Sequence, residues 1–168
     1  MTSNAWKILL PVDGSADALA AVRHALRWAG AAAAAEVTFV LANVQEPASL
    51  YEVVVAHDAE RIKALKREAG ADLISAAEAL LDAAGAAYES DVTAGAPEHL
   101  IVELAETYGC DAIVMGARGQ GAGPEAGGLG SVALAVLQAS PLPVTVVRHG
   151  AAAESADTSE ALEAALPE

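Results

Sequence analysis

The chain has 168 residues, 54% of them hydrophobic, and its twenty-three Asp and Glu outnumber nine Lys and Arg to give a formal net charge of −14. That size suits one domain around one core, and that charge repels nucleic acid and anionic membrane surfaces, so neither is expected as a partner. Cys110 is the single cysteine, which excludes an intrachain disulfide. Charge or glycine interrupts every apolar run before the ~18 residues that a membrane-spanning helix needs. The start, from Met1 to Ile8, lacks the charged and apolar regions of a signal peptide, so the cytoplasm is the expected compartment.

Trp6 to Val12 reads as a short buried strand closed by Asp13-Gly14-Ser15, with Ser15 as N-cap of a helix whose Leu19, Val22, Leu26 and Ala29 recur at helical spacing. Val37 to Val44 is a second strand, followed by a loop from Gln45 to Ser49. A long helix then carries the apolar stripe Ile62, Leu65, Ala69, Leu73, Ala76 and Leu80, with Arg61, Lys63, Lys66 and Arg67 on other faces and Gly85 as its stop. Ala87 to Thr93 is a third strand. Pro97 suits the first position of a helix that buries Leu100, Ile101, Leu104 and Ala105 and ends at Gly109. Asp111 to Gly116, a helix from Ser131 to Ser140, and Val144 to Val147 complete five strands alternating with four helices.

Apolar strands joined by helical crossovers imply a doubly wound α/β fold, a parallel sheet covered on both faces. With strand order 3-2-1-4-5, the carboxyl ends of the first and fourth strands lie side by side at a topological switch, where such sheets take ligands. Residues 1–149 form the domain. Residues 150–168 have five acids and no Lys or Arg, and read as an acidic, disordered tail; without those charges the rest still carries −9.

Seven of the fourteen glycines fall between Gly116 and Gly130, after one apolar strand and before one helix. A loop of small residues opening a helix turns unpaired backbone N–H groups toward one spot, where an anion fits. The spacing is neither that of a P-loop nor of the compact dinucleotide fingerprint, so a nucleotide site here is of another kind.

Five ordered blocks resemble the universal stress protein family: Ile8 to Ser15, Gly95-Ala96-Pro97, Asp111 to Gly119, Gly130-Ser131-Val132 and Pro143 to Val147. The resemblance spans residues 6–148. It implies a five-stranded, adenine nucleotide alpha-hydrolase-like fold, usually dimeric, with a branch that binds ATP or AMP between strands one and four and a branch that binds neither. Carried onto this chain, it puts Asp13 at the adenine and ribose side, Val44 on the adenine face, and Gly116, Gly119, Gly130, Ser131 and Val132 around the phosphates, with Mg2+ accompanying ATP. Arg118 is a further phosphate contact, or else a side chain that is solvated or paired with a nearby acid. The nucleotide-binding branch has nine residues between the glycine at the Gly119 position and the next motif glycine, where this chain has ten before Gly130, Gln120 to Leu129, and Glu125 stands among them.

Asp13-Gly14-Ser15 is equally ordinary turn chemistry, and a glycine loop is equally a surface connection. His24, His57, His99 and His149 have no metal-ligand spacing, Cys110 reads as a small core residue, and no nucleophile motif appears. The expected function is a regulatory protein responding to ATP or AMP and acting as a homodimer through Val144 to Val147, with at most slow ATP hydrolysis. The alternative is a nucleotide-independent dimeric adaptor contacting an unknown protein partner. An adenylylating enzyme on the same architecture fits least, because Val12 to Ser15 is no pyrophosphate loop.

Overall fold

Residues 5–32, 36–46, 59–120 and 127–150 are described by a computed structural model of the chain, and they form five strands and four helices. In chain order these are β1 (Ala5–Pro11), α1 (Ala16–Ala31), β2 (Glu36–Gln45), α2 (Ala59–Ala83), β3 (Ala87–Ala94), α3 (Pro97–Thr107), β4 (Ala112–Gly116), α4 (Ser131–Ala139) and β5 (Val144–Val147). The strands make one sheet in the order β3-β2-β1-β4-β5, every pairing parallel. Sequence periodicity thus anticipated the number, kind and order of the elements, with strand ends differing by about a residue.

Strand geometry explains the two cores. Successive side chains point to opposite faces, so Ile8, Leu10 and Val12 of the first strand and its turn join Phe39 and Leu41 beneath α1 and α2, where Val22, Ile74 and Leu81 meet them. Leu9 points the other way, into a cluster with Val40, Ala42, Ile113 and Met115 beneath α3 and α4. Leu9, Leu10, Val40 and Leu41 have no exposed surface, which is why the central strands read as continuous apolar runs rather than alternating ones. Crossovers carry the chain from β1 to β3 in one direction, with α1 and α2 on one face. The chain then returns to β4 beside β1 and continues to β5, with α3 and α4 on the opposite face.

The helix ends follow the sequence signals. Ser15 caps α1 by accepting the Ala18 N–H on its Oγ at 3.2 Å; Pro97 opens α3, and Gly85 and Gly109, both at positive φ, follow the ends of α2 and α3. The buried face of α2 differs from the expected stripe. Ala76 is exposed and Leu73 and Leu80 are half-buried, while Gly70, Ile74, Ala77 and Leu81 are buried. The reason is Gly70, where an added Cβ would stand 2.6 Å from the Gln45 side-chain nitrogen and 2.7 Å from Val92 Cγ1. The helix lies close against β2 and β3 there, and positions four, seven and eleven residues on share that face.

The chain segments 1–4, 33–35, 47–58, 121–126 and 151–168 lie outside the described residues, and with them Pro47 to Ser49, His57, Glu125 and the acidic tail. The side chains of Ile62, Lys63, Leu65, Lys66, Arg67 and Ala69 also lie outside them. Among the described residues no helix is long and apolar enough to cross a membrane.

Candidate functional site

Where β1 and β4 end, their following loops diverge to opposite faces of the sheet and leave a cavity of about 530 Å³. All eight residues singled out in the sequence border it: Asp13, Val44, Gly116, Arg118, Gly119, Gly130, Ser131 and Val132. The volume is that of a small-molecule site. Its floor and one wall are apolar, made by Val12, Ala42, Val44, Pro97, Ile101 and Met115. Asn43, buried behind them, donates from Nδ2 to the Val12 carbonyl at 2.8 Å and accepts from Gln45 Nε2 at 3.1 Å, which fixes the turn after β1 against β2.

The opposite end is polar. Asp13 accepts the Ser15 N–H on Oδ1 at 2.9 Å and the Gln120 N–H on Oδ2 at 3.1 Å, so one carboxylate ties the α1 entry to the glycine loop. Gly119 makes that approach feasible: a Cβ there would stand 2.7 Å from Asp13 Oδ2. The Gly130 N–H donates to the Ala117 carbonyl at 2.8 Å, which brings the start of α4 back over the end of β4.

Two of the helices that open onto the cavity, α1 and α4, differ in their caps. Ser15 closes the α1 N-terminus and Asp17 stands in its first turn. The α4 N-terminus has Gly130 as N-cap, no side-chain cap and no acid in its first turn. The Ser131, Val132 and Ala133 N–H groups have no intrahelical acceptor, and all three residues border the cavity. Orphan donors at the positive end of a helix dipole favour an anion at that position.

Asp17 was not singled out in the sequence. It is 5% exposed, accepts the His149 N–H on Oδ1 at 2.8 Å and pairs through Oδ2 with Arg118 Nε at 3.4 Å. Its sequence signal, an acid in a helix first turn, reads as a dipole complement, whereas its partners lie 101 and 132 residues along the chain. Arg118 borders the cavity and pairs with Asp17. Cys110 and His24 stand apart from the cavity lining. Cys110 is buried and its thiol is pushed up to about 11, chiefly by burial, which makes it a core residue rather than a thiolate. His24 packs on Trp28, with ring centroids 4.8 Å apart. Among the described residues no group of three or more His, Cys, Asp or Glu is placed to hold a metal ion.

The universal stress protein family model matches residues 6–148. The chain belongs to the universal stress protein family. It is 32% identical over 142 residues to a universal stress protein of Methanocaldococcus jannaschii, an alignment covering 84% of this chain and 81% of that one. Among solved structures it is similar to hypothetical protein MJ0577, at 27% identity and TM-score 0.73, covering 86% of this chain and 96% of the other. It is also similar to a universal stress protein in complex with cAMP, at 28% identity and TM-score 0.53, covering 85% and 96%. The strand order and layering found above are those of the universal stress protein fold.

Proposed function

We propose that this universal stress protein is a regulatory protein of the cytoplasm that binds an adenine nucleotide in the crevice between β1 and β4 and acts through a homodimer. The observation that carries the reading is the uncapped α4 N-terminus, whose orphan N–H groups face a cavity with an apolar wall at its other end. A phosphate accepts hydrogen bonds from Ser131, Val132 and the Ser131 hydroxyl, while the base lies against Val44 with Asp13 as acceptor for an amino or ribose hydroxyl group. The similar protein solved with cAMP supports a nucleotide of the adenine series.

The donor set does not fit a Mg2+ ion held by the protein. Asp13 is the one carboxylate among the described residues bordering the cavity, and both its oxygens already accept backbone N–H groups. The same engagement makes Asp13 a poor general base, and Arg118 is held by Asp17, so the reading is binding with a regulatory output rather than efficient phosphoryl transfer. The dimer forms through β5, which among the described residues pairs with β4 alone and stands at the end of the sheet. Leu134 and Leu137 on the outward face of α4, 48% and 40% exposed, favour a second reading in which the dimer is a nucleotide-independent adaptor for an unknown protein partner.

The two readings separate when purified protein is heat-extracted and the released small molecules are identified by chromatography and mass spectrometry, beside a Gly130→Glu variant. An adenine nucleotide released by the wild type alone supports the first reading. An empty wild type whose melting temperature is unmoved by added ATP or AMP supports the second, since ligand at ~100 times its dissociation constant stabilises by about 2.7 kcal/mol.

A further inference from the structure

We propose that the acidic segment 151–168 docks along the exposed face of α1 in the same chain, with its carboxylates on Arg23 and Arg27 and its leucines against Trp28. Docking closes that face to other anions. None of these three α1 residues borders the crevice.

The face is marked by charge. Helix α1 buries Ala18, Ala21, Val22 and Ala25, and at helical spacing this turns Arg23 and Arg27 to solvent and sets His24 and Trp28 on one flank. Both arginines are exposed, and Trp28 is 46% exposed. The His24 ring ties the patch together: its centroid lies 4.8 Å from that of Trp28, and its Nδ1 lies 3.3 Å from Arg27 Nη2. Lys7 pairs with Glu89 at 3.2 Å, but among the described residues no carboxylate stands within ion-pair distance of Arg23 or Arg27. Like charges four residues apart on a helix repel, and an anion laid across both reverses that cost.

The segment supplies the complement. Glu154, Asp157, Glu160 and Glu163 recur at every third residue without a Lys or Arg between them, and Leu162 and Leu166 stand among and after them. The five acids of 151–168, taken from the net −14, leave −9 on the residues before it, so much of the surface repels this segment while the α1 face attracts it. The chain also arrives at the right place. The His149 N–H donates to Asp17 Oδ1 at 2.8 Å, which holds the chain beside the first turn of α1 two residues before the segment begins. At a helical rise of about 1.5 Å per residue, Arg23 and Arg27 lie roughly 9 and 15 Å further along α1. An extended chain covers about 3.3 Å per residue, so Glu154 reaches the first and Asp157 the second. Attachment there gives an effective concentration on the order of millimolar, at which several surface ion pairs, each weak alone, hold the segment in place.

The full chain carrying Trp6→Phe, with Trp28 as its remaining tryptophan, tests the proposal. Acrylamide quenching of Trp28 fluorescence should rise about twofold or more, as when a seat at least half filled is emptied, on combining Glu154→Gln, Asp157→Asn, Glu160→Gln and Glu163→Gln. Arg23→Gln with Arg27→Gln should give a similar rise, and joining the two sets should add little, since either removes the same contact. Wild-type amide NMR at low and high salt asks the question without substitution, and the salt-dependent shifts should centre on Arg23 to Ala31. Poly-glutamate as a probe should shift those amides more in the acid-neutralised chain than in the wild type. Quenching and amides indifferent to the acids and to salt overturn the docking, and shifts centred on another surface overturn the α1 seat. Equal poly-glutamate shifts in both chains show an open face and overturn it too. Effects that grow with protein concentration place the segment on a second copy and overturn docking within one chain.

Discussion

At Gly116 an added methyl group would stand 2.7 Å from the Ala18 nitrogen and 2.8 Å from the Asp17 carbonyl carbon, both backbone atoms at the start of α1. The glycine is there for helix packing, and neither atom can swing aside. Gly116→Ala should therefore lower stability by about 1–3 kcal/mol, the usual cost of overpacking, read as a lower urea midpoint; an unchanged midpoint would contradict the close approach. At Gly119 the obstacle is a side-chain oxygen, which can move. Gly119→Ala should cost under about 1 kcal/mol in stability while loosening the Asp13–Gln120 tie and weakening nucleotide affinity. Cys110 supplies a pH test. Burial favours its neutral form and pushes the thiol from an ordinary 9.0 up to about 11 in the fold. The raised value means its stabilising contribution is complete below about pH 9 and is lost as pH rises through about 11, amounting to about 2–3 kcal/mol at most. Cys110→Ala should flatten the fall in stability over that window relative to wild type. Equal slopes would show that the thiol is not the group responsible.

Among the elements, α4 joins stability to function most directly. Its N-cap, Gly130, has extended backbone, φ −66° and ψ 159°, which any residue adopts, and it supplies no side-chain cap. Gly130→Asp should place a carboxylate on the same N–H groups proposed for the phosphate. Exchanging Gly for a capping residue is worth only a few tenths of a kcal/mol. Thermal stability should hold within about 1 kcal/mol while nucleotide binding is lost. Parallel loss of both would show that the change damages the fold instead. The elements also show what was legible in the sequence. Strands such as Val37 to Val44 announced themselves because burial on both faces removes polar residues. The face of α2 did not, because apolar doublets at Leu73-Ile74 and Leu80-Leu81 permit two adjacent stripes and only the contact of Gly70 with β2 and β3 selects one. The cavity lining was legible because it lies in short motifs at strand ends. Asp17 was not, because its pairing with Arg118 exists only after α1 and the glycine loop meet.

For the whole molecule, the edge of β5 away from β4 is the surface through which two copies are proposed to pair. Ile113 N–H donates to the Pro143 carbonyl and Ala117 N–H to the Val147 carbonyl. The odd-numbered residues thus turn their backbone groups toward β4, while Val144 and Val146 turn theirs to the open side. Val146→Pro removes an outward N–H and spares the β4 ladder, so light scattering should find monomer or aggregate in place of dimer. A dimer unchanged in mass would move the interface elsewhere. The strand order was legible because the motifs after the first and fourth strands make one site only when those strands are neighbours. Whether an adenine nucleotide occupies the crevice with its phosphate on the α4 N-terminus is decided by an amide-resolved NMR titration of the protein with AMP. Saturable shifts centred on the Ser131, Val132 and Ala133 amides are expected, with Gly119 and Gly130 following. Saturable shifts confined to other surfaces, or none at millimolar AMP, would contradict that placement.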